Sequence, residues 1–274
     1  MTPETSLVYI LLLLVTIGAA GGFLSGLLGV GGGGLFVPAL YYAMFAFGFD
    51  KSHSMHIAVA TSLLIVFATG STSAVSHYRR GGVDVPRLKS WGPYILLGVI
   101  IGAFFASAVN GEVLKRIFAV MTLLISAQMA IGRERSAAEA AAWLTTRVQR
   151  AICVAIGAVS SMIGVGGAVL TVPMMSHSGV PMQKAVGTGA ALGVIIALPG
   201  SLGFMIGGML HHIDGLPPYS IGYVNLAAAA AIIPTAMLMA PVGVRLSHAM
   251  PRLMLRRVFA AVMMIVSIRM FMSM

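Results

Sequence analysis

The sequence predicts an all-α polytopic membrane protein with two inverted repeats of about five hydrophobic segments each. Of the 274 residues, 58% are hydrophobic and 9% are charged, and the mean hydropathy is +0.97. That composition excludes a water-soluble globular domain. Apolar stretches near the roughly 20 residues that a helix needs to cross a bilayer recur along the chain. Three blocks of sequence also occur twice, in the same order.

The net charge of +10 comes from basic residues in short loops between the apolar segments. These residues form no surface interleaved with aromatic side chains, so nucleic acid is excluded as a partner. The single cysteine, Cys153, lies within an apolar run and is interpreted as a packing residue. The first apolar segment follows Glu4, without a preceding Lys or Arg and without a small-residue cleavage site, so it is interpreted as a retained helix.

The duplication is clearest in two glycine-rich stretches. Residues 22–38 align with residues 157–173, with nine identities in seventeen positions. Two further pairs of blocks match at offsets of 127 and 141 residues: 58–61 with 185–188, and 114–129 with 255–270. The matches divide the chain into a first membrane repeat, a cytoplasmic linker and a second membrane repeat, at residues 1–132, 133–150 and 151–274.

Each repeat contains five apolar segments. In the first repeat they cover residues 7–28, 35–47, 57–77, 91–109 and 113–131. In the second repeat they cover residues 151–163, 168–175, 185–210, 221–242 and 253–271. The second segment of each repeat is too short for a full span, so we expect Gly-rich broken or re-entrant hairpins that meet near the membrane midplane.

The distribution of basic residues predicts the orientation in the bilayer. If the first two segments of each repeat form a hairpin, one face carries most of the basic loop residues: Arg79, Arg80, Arg87, Lys89, Arg133, Arg135, Arg147, Arg150, Arg245 and Arg252. That face is expected to be cytoplasmic. Lys115 and Arg116 begin a helix and fit either side. Five passes per repeat invert the second copy, and both termini are then expected to be periplasmic or exterior.

Glycine clusters at matched positions in the two repeats predict the substrate site. Clustered glycine exposes backbone N–H groups and lets a ligand approach closely, and helix N-termini behind each cluster attract anions. The predicted glycines are Gly29, Gly31, Gly32, Gly33, Gly164, Gly166 and Gly167. Nearby hydroxyls could also bind oxyanion oxygens: Ser25, Ser160, Thr61, Ser62 and Thr188. The alternative is structural, with glycines in close helix packing and hydroxyls bonded to the preceding helical turn.

The repeated GVGGG-type hairpin, followed by a proline and by an A-V-x-T helix start, resembles the sulfite exporter TauE/SafE family. The resemblance covers nearly the whole chain. It implies an inner-membrane carrier for sulfite, sulfoacetate or other small organosulfur anions, and in most cases an exporter. The second repeat departs from the fuller glycine run, because Ala168 and Val169 stand where the first has Gly33 and Gly34. One hairpin is therefore expected to contact substrate more closely than the other.

The sequence also bears on two other functions, metal-ion transport and enzymatic catalysis. A metal-ion permease is suggested by the twenty methionines and by Asp50, His53 and His56, although the methionines show no repeated ligand spacing. A membrane-embedded enzyme would need a zinc motif or paired buried carboxylates, and the sequence has neither; no cofactor is expected. Gly98 lies in an ordinary predicted span, where an added methyl group should be tolerated unless a helix packs directly on it.

Overall fold

A computed structural model describes residues 3–28, 32–46, 49, 51–131, 146–178, 180–211, 213, 215–249 and 252–273. Within these residues the chain forms ten helices and one two-stranded hairpin. The helices are α1 (Pro3–Leu28), α2 (Gly33–Ala46), α3 (Lys51–Arg79), α4 (Val85–Ala108), α5 (Gly111–Ile131), α6 (Thr146–Ile163), α7 (Ala168–His177), α8 (Met182–Leu210), α9 (Leu226–Ala249) and α10 (Arg252–Met272). The hairpin strands are β1 (Ser220–Ile221) and β2 (Val224–Asn225), which pair antiparallel between α8 and α9.

Five of the described helices are long and apolar enough to cross a bilayer. They are α1, α3, α4, α8 and α9, with α2 and the second half of α10 forming shorter apolar stretches. Many large apolar side chains point outward, including Phe104, which is 72% exposed, and Leu238, which is 73% exposed. A surface of this kind is stable in lipid but not in water. The all-helical membrane class predicted from the composition is therefore confirmed.

Two helix pairs pack through glycine, with one helix backbone against the other. In the first pair, glycines four residues apart on α1 lie against α9: Gly18 against Ile232, Gly22 against Ala236 and Gly26 against Ala240. In the second pair, α4 packs on α6: Gly98 against Val154, Gly102 against Ala158 and Gly157 against Ile95. Lipid supplies no hydrophobic force to hold membrane helices together, so they associate through close van der Waals contact. Small residues at a spacing of four permit that contact.

The exception stated for Gly98 applies, because α6 packs directly on it. A Cβ atom built on Gly98 would lie 2.8 Å from the carbonyl carbon of Val154 and 3.0 Å from the backbone nitrogen of Ala158. Real Cβ atoms do not approach backbone atoms this closely, so α6 would have to move. Gly98 therefore lies at a tight helix crossing and cannot serve as a neutral control position.

The centre of the molecule is the crossing of α3 and α8, which run antiparallel. The Ser201 hydroxyl of α8 donates to the Ala60 carbonyl of α3 at 3.4 Å, and a Cβ on Gly200 would contact Leu63. Beside them, α5 packs on α10, and the Ser267 hydroxyl donates to the Ala119 carbonyl at 2.6 Å. Each of these two pairs joins one helix from the first half of the chain to one from the second.

Several element boundaries differ from the sequence prediction. The predicted apolar segment at residue 221 begins as the β-hairpin, and α9 starts only at Leu226. Helix α4 begins at Val85 instead of residue 91, because Asp84 caps it: its carboxylate accepts from the Arg87 N–H at 3.1 Å. Helix α6 begins at Thr146, so residues 146–150 of the predicted linker form its first turn.

Candidate functional site

The two glycine-rich segments touch each other directly. Gly33 stands at the start of α2, and a Cβ built on it would clash with the Gly164 carbonyl oxygen and lie 2.8 Å from the Val165 Cα. The Gly166 nitrogen would be 3.2 Å away. Only a residue without a side chain permits this approach. The backbones of the two halves of the chain therefore meet where the sequence predicted the site.

Two glycines in or beside this contact hold backbone conformations that side chains disfavour. Gly32 has φ +75° and Gly164 has φ +66°. The positive φ at Gly32 turns the chain into α2, whose first bonds are Leu35 N–H and Phe36 N–H to the Gly32 carbonyl, at 3.0 and 3.2 Å. The Gly33 and Gly34 N–H groups therefore precede the helical ladder, as the first N–H groups of any helix do.

The second segment leads into α7 in a similar way. The Gly167 carbonyl accepts from the Leu170 and Thr171 N–H groups, at 3.2 and 2.9 Å. The N–H groups of Gly167 and Ala168 thus stand ahead of this helical ladder too. Gly167 itself packs against the flexible end of Ile196 and lies close to Gly193 of α8. Both glycine segments consequently place helix N-termini near their contact.

Among the predicted hydroxyls, Ser62 bridges the two segments. Its hydroxyl lies 3.0 Å from the Gly164 carbonyl oxygen and 3.4 Å from the Gly33 carbonyl oxygen, and the residue is completely buried. Ser25 is also buried, and its Cβ would lie 2.9 Å from a Cβ on Gly32. Ser160 is buried, and its carbonyl accepts from the Val165 N–H at 3.2 Å. These three serines lie in or beside the glycine contact.

Thr61 and Thr188 instead bond to the caps of other helices. The Thr61 oxygen accepts from the Asn225 N–H at 3.0 Å, and the Thr188 oxygen accepts from the Asp84 N–H at 2.8 Å. Asn225 caps α9 as Asp84 caps α4, because its side-chain oxygen accepts from the Ala228 N–H at 2.8 Å. Thr61 and Thr188 occupy matched positions in the two repeats. Each accepts a hydrogen bond from the start of a helix in the opposite half of the chain.

Gly29 and Gly31, which the sequence also assigned to the site, lie outside the described residues. Asp50, from the metal interpretation, lies outside them as well. The structure therefore brings together Gly32, Gly33, Gly164, Gly166 and Gly167 with three of the predicted serines.

The histidines of the metal interpretation belong to an aromatic stack. The His56 ring lies on Tyr223 with centroids 4.6 Å apart, and His53 lies 6.1 Å from the same ring. The His56 Nε2 is 2.9 Å from the Val109 carbonyl oxygen. Burial raises the pKa of the Tyr223 phenol. Within the described residues, no three His, Cys, Asp or Glu side chains are grouped closely enough to hold a metal ion.

One buried charge was missed by the sequence analysis. Lys115 of α5 is only 2% exposed, and its Nζ donates to the Ser273 carbonyl at 2.7 Å. The same ammonium lies 5.0 Å from the centre of the Tyr41 ring. A cation near the last carbonyls of α10 is favoured by the helix dipole, and the aromatic face adds attraction. Little in the sequence indicates this burial, because a Lys-Arg pair at a helix start usually faces solvent.

Comparison with known proteins agrees with this architecture. The family model described as sulfite exporter TauE/SafE matches residues 14–270. A probable membrane transporter protein of Haemophilus influenzae is 29% identical over 263 residues, which cover 96% of this chain and 98% of that protein. A probable membrane transporter protein of Methanocaldococcus jannaschii is 24% identical over 257 residues, 89% of each chain.

A third relative, a probable membrane transporter protein of Bacillus subtilis, is 26% identical over 278 residues, 93% of this chain and 94% of that protein. No solved structure matches the chain. The family match covers nearly the whole chain, and these relatives align over almost their full length. The protein is therefore a multi-pass membrane transporter that belongs to the sulfite exporter TauE/SafE family.

Proposed function

We propose that this protein is a secondary transporter of small sulfur oxyanions or organosulfur anions, such as sulfite or sulfoacetate, and exports them across the inner membrane by alternating access. The observation that carries the proposal is the backbone contact of Gly33 with Gly164–Gly166. Small shifts of one half of the chain against the other would open a gap at this contact. The gap would be lined by N–H groups and serine hydroxyls.

Anion selectivity follows from the chemistry around the contact. The side chains that a Cβ on Gly32, Gly34, Gly164 or Gly167 would approach are mostly apolar: Phe36, Met263, Val37 and Ile196. In such a low-dielectric environment, dipoles from helix N-termini act strongly on an anion. No carboxylate side chain is among these neighbours of the glycines. A small oxyanion accepts hydrogen bonds on several oxygens, which suits a site made of donors.

Inverted repeats would explain how the two halves of the site move relative to each other during transport. By the sequence match, α1–α5 of the first repeat correspond in order to α6–α10 of the second. The packed pair α1–α9 therefore corresponds to the packed pair α6–α4. The same correspondence maps α3–α8 and α5–α10 onto themselves, and it interchanges the Thr61–Asn225 and Thr188–Asp84 bonds. In inverted-repeat transporters, rocking of one repeat on the other exposes a central site to each side in turn.

Metal-ion transport is the alternative, and it has less support. Its candidate residues His53 and His56 have ring centroids 6.3 Å apart, and both face Tyr223. Tyr223 occupies the stacking face of His56. The family description, moreover, refers to sulfite and not to a metal.

Transport of labelled anions into proteoliposomes tests the substrate class. We expect the purified protein to move sulfite or sulfoacetate faster than protein-free liposomes do, and to release the anion chemically unchanged. Sulfate and manganese ions in the same vesicles test whether transport is selective. Flux of the metal ion without flux of either sulfur anion would support the alternative instead.

Reporter fusions test the proposed orientation, with both termini periplasmic or exterior and the linker cytoplasmic. A fusion at residue 140 should be active only with a cytoplasmic reporter, and a fusion after residue 274 only with a periplasmic one. The reason is that the basic loops concentrate on the face that carries the linker. A cytoplasmic C-terminus would contradict the inverted arrangement, since two copies with an odd number of passes must place both termini on one side.

A further inference from the structure

A groove with mostly apolar walls runs along the C-terminal half of α3 and ends at two arginines, at a distance in sequence from the glycine contact. It has a volume of about 600 Å³ and is lined by Ser71, Thr72, Val75, Ser76, Arg79 and Arg80. These positions recur at intervals of three and four residues, so they form one stripe on the helix. We call this feature the α3 groove. It ends at the basic turn between α3 and α4.

The two arginines of the α3 groove carry uncompensated charge. Both are exposed, and neither guanidinium group has an ion-pair or hydrogen-bond partner within the described part of the chain. The carboxylate that follows them in the sequence, Asp84, is engaged with Arg87 at 3.7 Å and caps α4. Guanidinium groups bind oxyanions through paired N–H donors. Two free guanidiniums at the end of the groove therefore form an attractive field for an oxyanion.

The second repeat provides an internal comparison. At the offset of 127 residues that aligns the starts of α3 and α8, the groove residues correspond to Leu198, Pro199, Leu202, Gly203, Ile206 and Gly207. Among these, Leu198, Leu202 and Ile206 are 38%, 45% and 57% exposed. The α8 stripe is thus apolar and suited to lipid. The two arginines at the matched places on α3 are not suited to hydrocarbon, so the end of that stripe that carries them faces water or a polar ligand.

The hydroxyls in the α3 groove have different hydrogen-bonding states. Ser71 donates to the Phe67 carbonyl at 2.6 Å, and Thr72 donates to the Ala68 carbonyl at 3.2 Å. Their protons are used within the helix. Ser76 makes no hydrogen bond within the described residues, so its proton is available one turn before Arg79 and Arg80. Donors to a ligand are therefore concentrated at the basic end.

We propose that the α3 groove is a peripheral oxyanion-binding site, which collects the transported anion at the basic face before it reaches the glycine contact. This inference rests on the proposed function, because the collected ligand is the same small oxyanion. Anionic lipid headgroups share the phosphate chemistry that guanidiniums recognise, and they are the competing source of ligand. A collecting site raises the local concentration of substrate and hence lowers the apparent KM, without changing the turnover step.

The test uses inside-out membrane vesicles, which expose the basic face, and compares wild type with the Arg79→Gln/Arg80→Gln double variant. We expect the apparent KM for sulfite or sulfoacetate to rise about tenfold with little change in maximal rate, because electrostatic steering changes association rates on that scale. The difference in KM between wild type and variant should shrink at high ionic strength, because salt screens the arginine charges that lower the wild-type KM. Arg245→Gln, which removes one exposed arginine of the same predicted face, is the matched control and should leave KM unchanged.

Two further arms separate the explanations. In proteoliposomes of neutral phosphatidylcholine the KM effect should persist; an effect seen only when about a third of the lipid is anionic would assign the groove to headgroups and overturn the proposal. If the wild type transports neither anion, the proposed function fails, and sulfoacetate binding to the purified protein decides the groove separately. Equal binding by wild type and the double variant, or equal KM values, would overturn the proposal that the α3 groove binds the anion.

Discussion

Replacing Gly33 with alanine should abolish most transport while the protein still inserts into the membrane. The added methyl group would be driven into the Gly164 carbonyl and to within 2.8 Å of the Val165 Cα. Because both neighbours are backbone atoms, the two segments must separate. Overpacking of this kind costs about 1–3 kcal/mol, and about 1.4 kcal/mol of transport barrier is already a tenfold loss of rate. Initial transport rates, normalised to the amount of inserted protein, measure the effect.

Other glycines in or near the contact give a graded series. Gly32→Val should be equally damaging, since the residue has φ +75° and its Cβ would lie 2.8 Å from the Phe36 ring. Gly167→Val should be milder, because the nearest obstacle is the flexible end of Ile196. Gly70→Ala is the matched control in α3, where the methyl group would touch only Val194 at 3.8 Å. Wild-type transport by the Gly33→Ala variant would show that substrate does not pass at this contact.

The second large effect is expected at the crossing of α4 and α6. Gly98→Leu should lower the melting temperature of the purified protein strongly, and Gly98→Ala should lower it in the same direction. Helix association in lipid depends on close van der Waals contact, and a side chain here would push Val154 and Ala158 away. We expect a loss of about 1–3 kcal/mol for the alanine variant, measured by thermal unfolding in detergent.

Gly92→Ala provides a control within the same helix. Its methyl group would lie 3.3 Å from the Ile195 Cδ1, which is the mobile end of a side chain and can shift. The melting temperature of this variant should stay near that of the wild type. A Gly98→Ala protein as stable as Gly92→Ala would contradict the tight crossing of α4 and α6.

The sequence was more informative about the glycine segments than about the hydroxyls around them. The duplication identified Gly32 and Gly164 as site candidates, because glycines at matched positions indicate the same backbone requirement in both repeats. The role of Thr61 was not accessible in this way, because its partner Asn225 lies 164 residues further along the chain. Serine and threonine can bond to many kinds of partner, so their position alone does not reveal which one they take.

The β-hairpin was missed for a related reason. Ile221, Tyr223 and Val224 are apolar and continue directly into α9, so hydropathy assigns them to the membrane segment. In the structure, Gly222 adopts φ +54° and Tyr223 turns inward to stack on His56. The turn depends on that contact with α3, which periodicity along one stretch of sequence does not encode.

By itself, the sequence determined the membrane class, the duplication and the family, because these follow from hydropathy and from matched motifs that need no three-dimensional contact. Tertiary structure decided which glycines serve packing and which serve the contact of the two halves. The sequence assigned Gly33 to the predicted site and Gly98 to an ordinary span, and the structure shows that Gly98 touches α6 and Gly33 touches Gly164. The role of each glycine is set by which distant backbone segment packs on it. Glycine has no side chain from which that partner could be inferred.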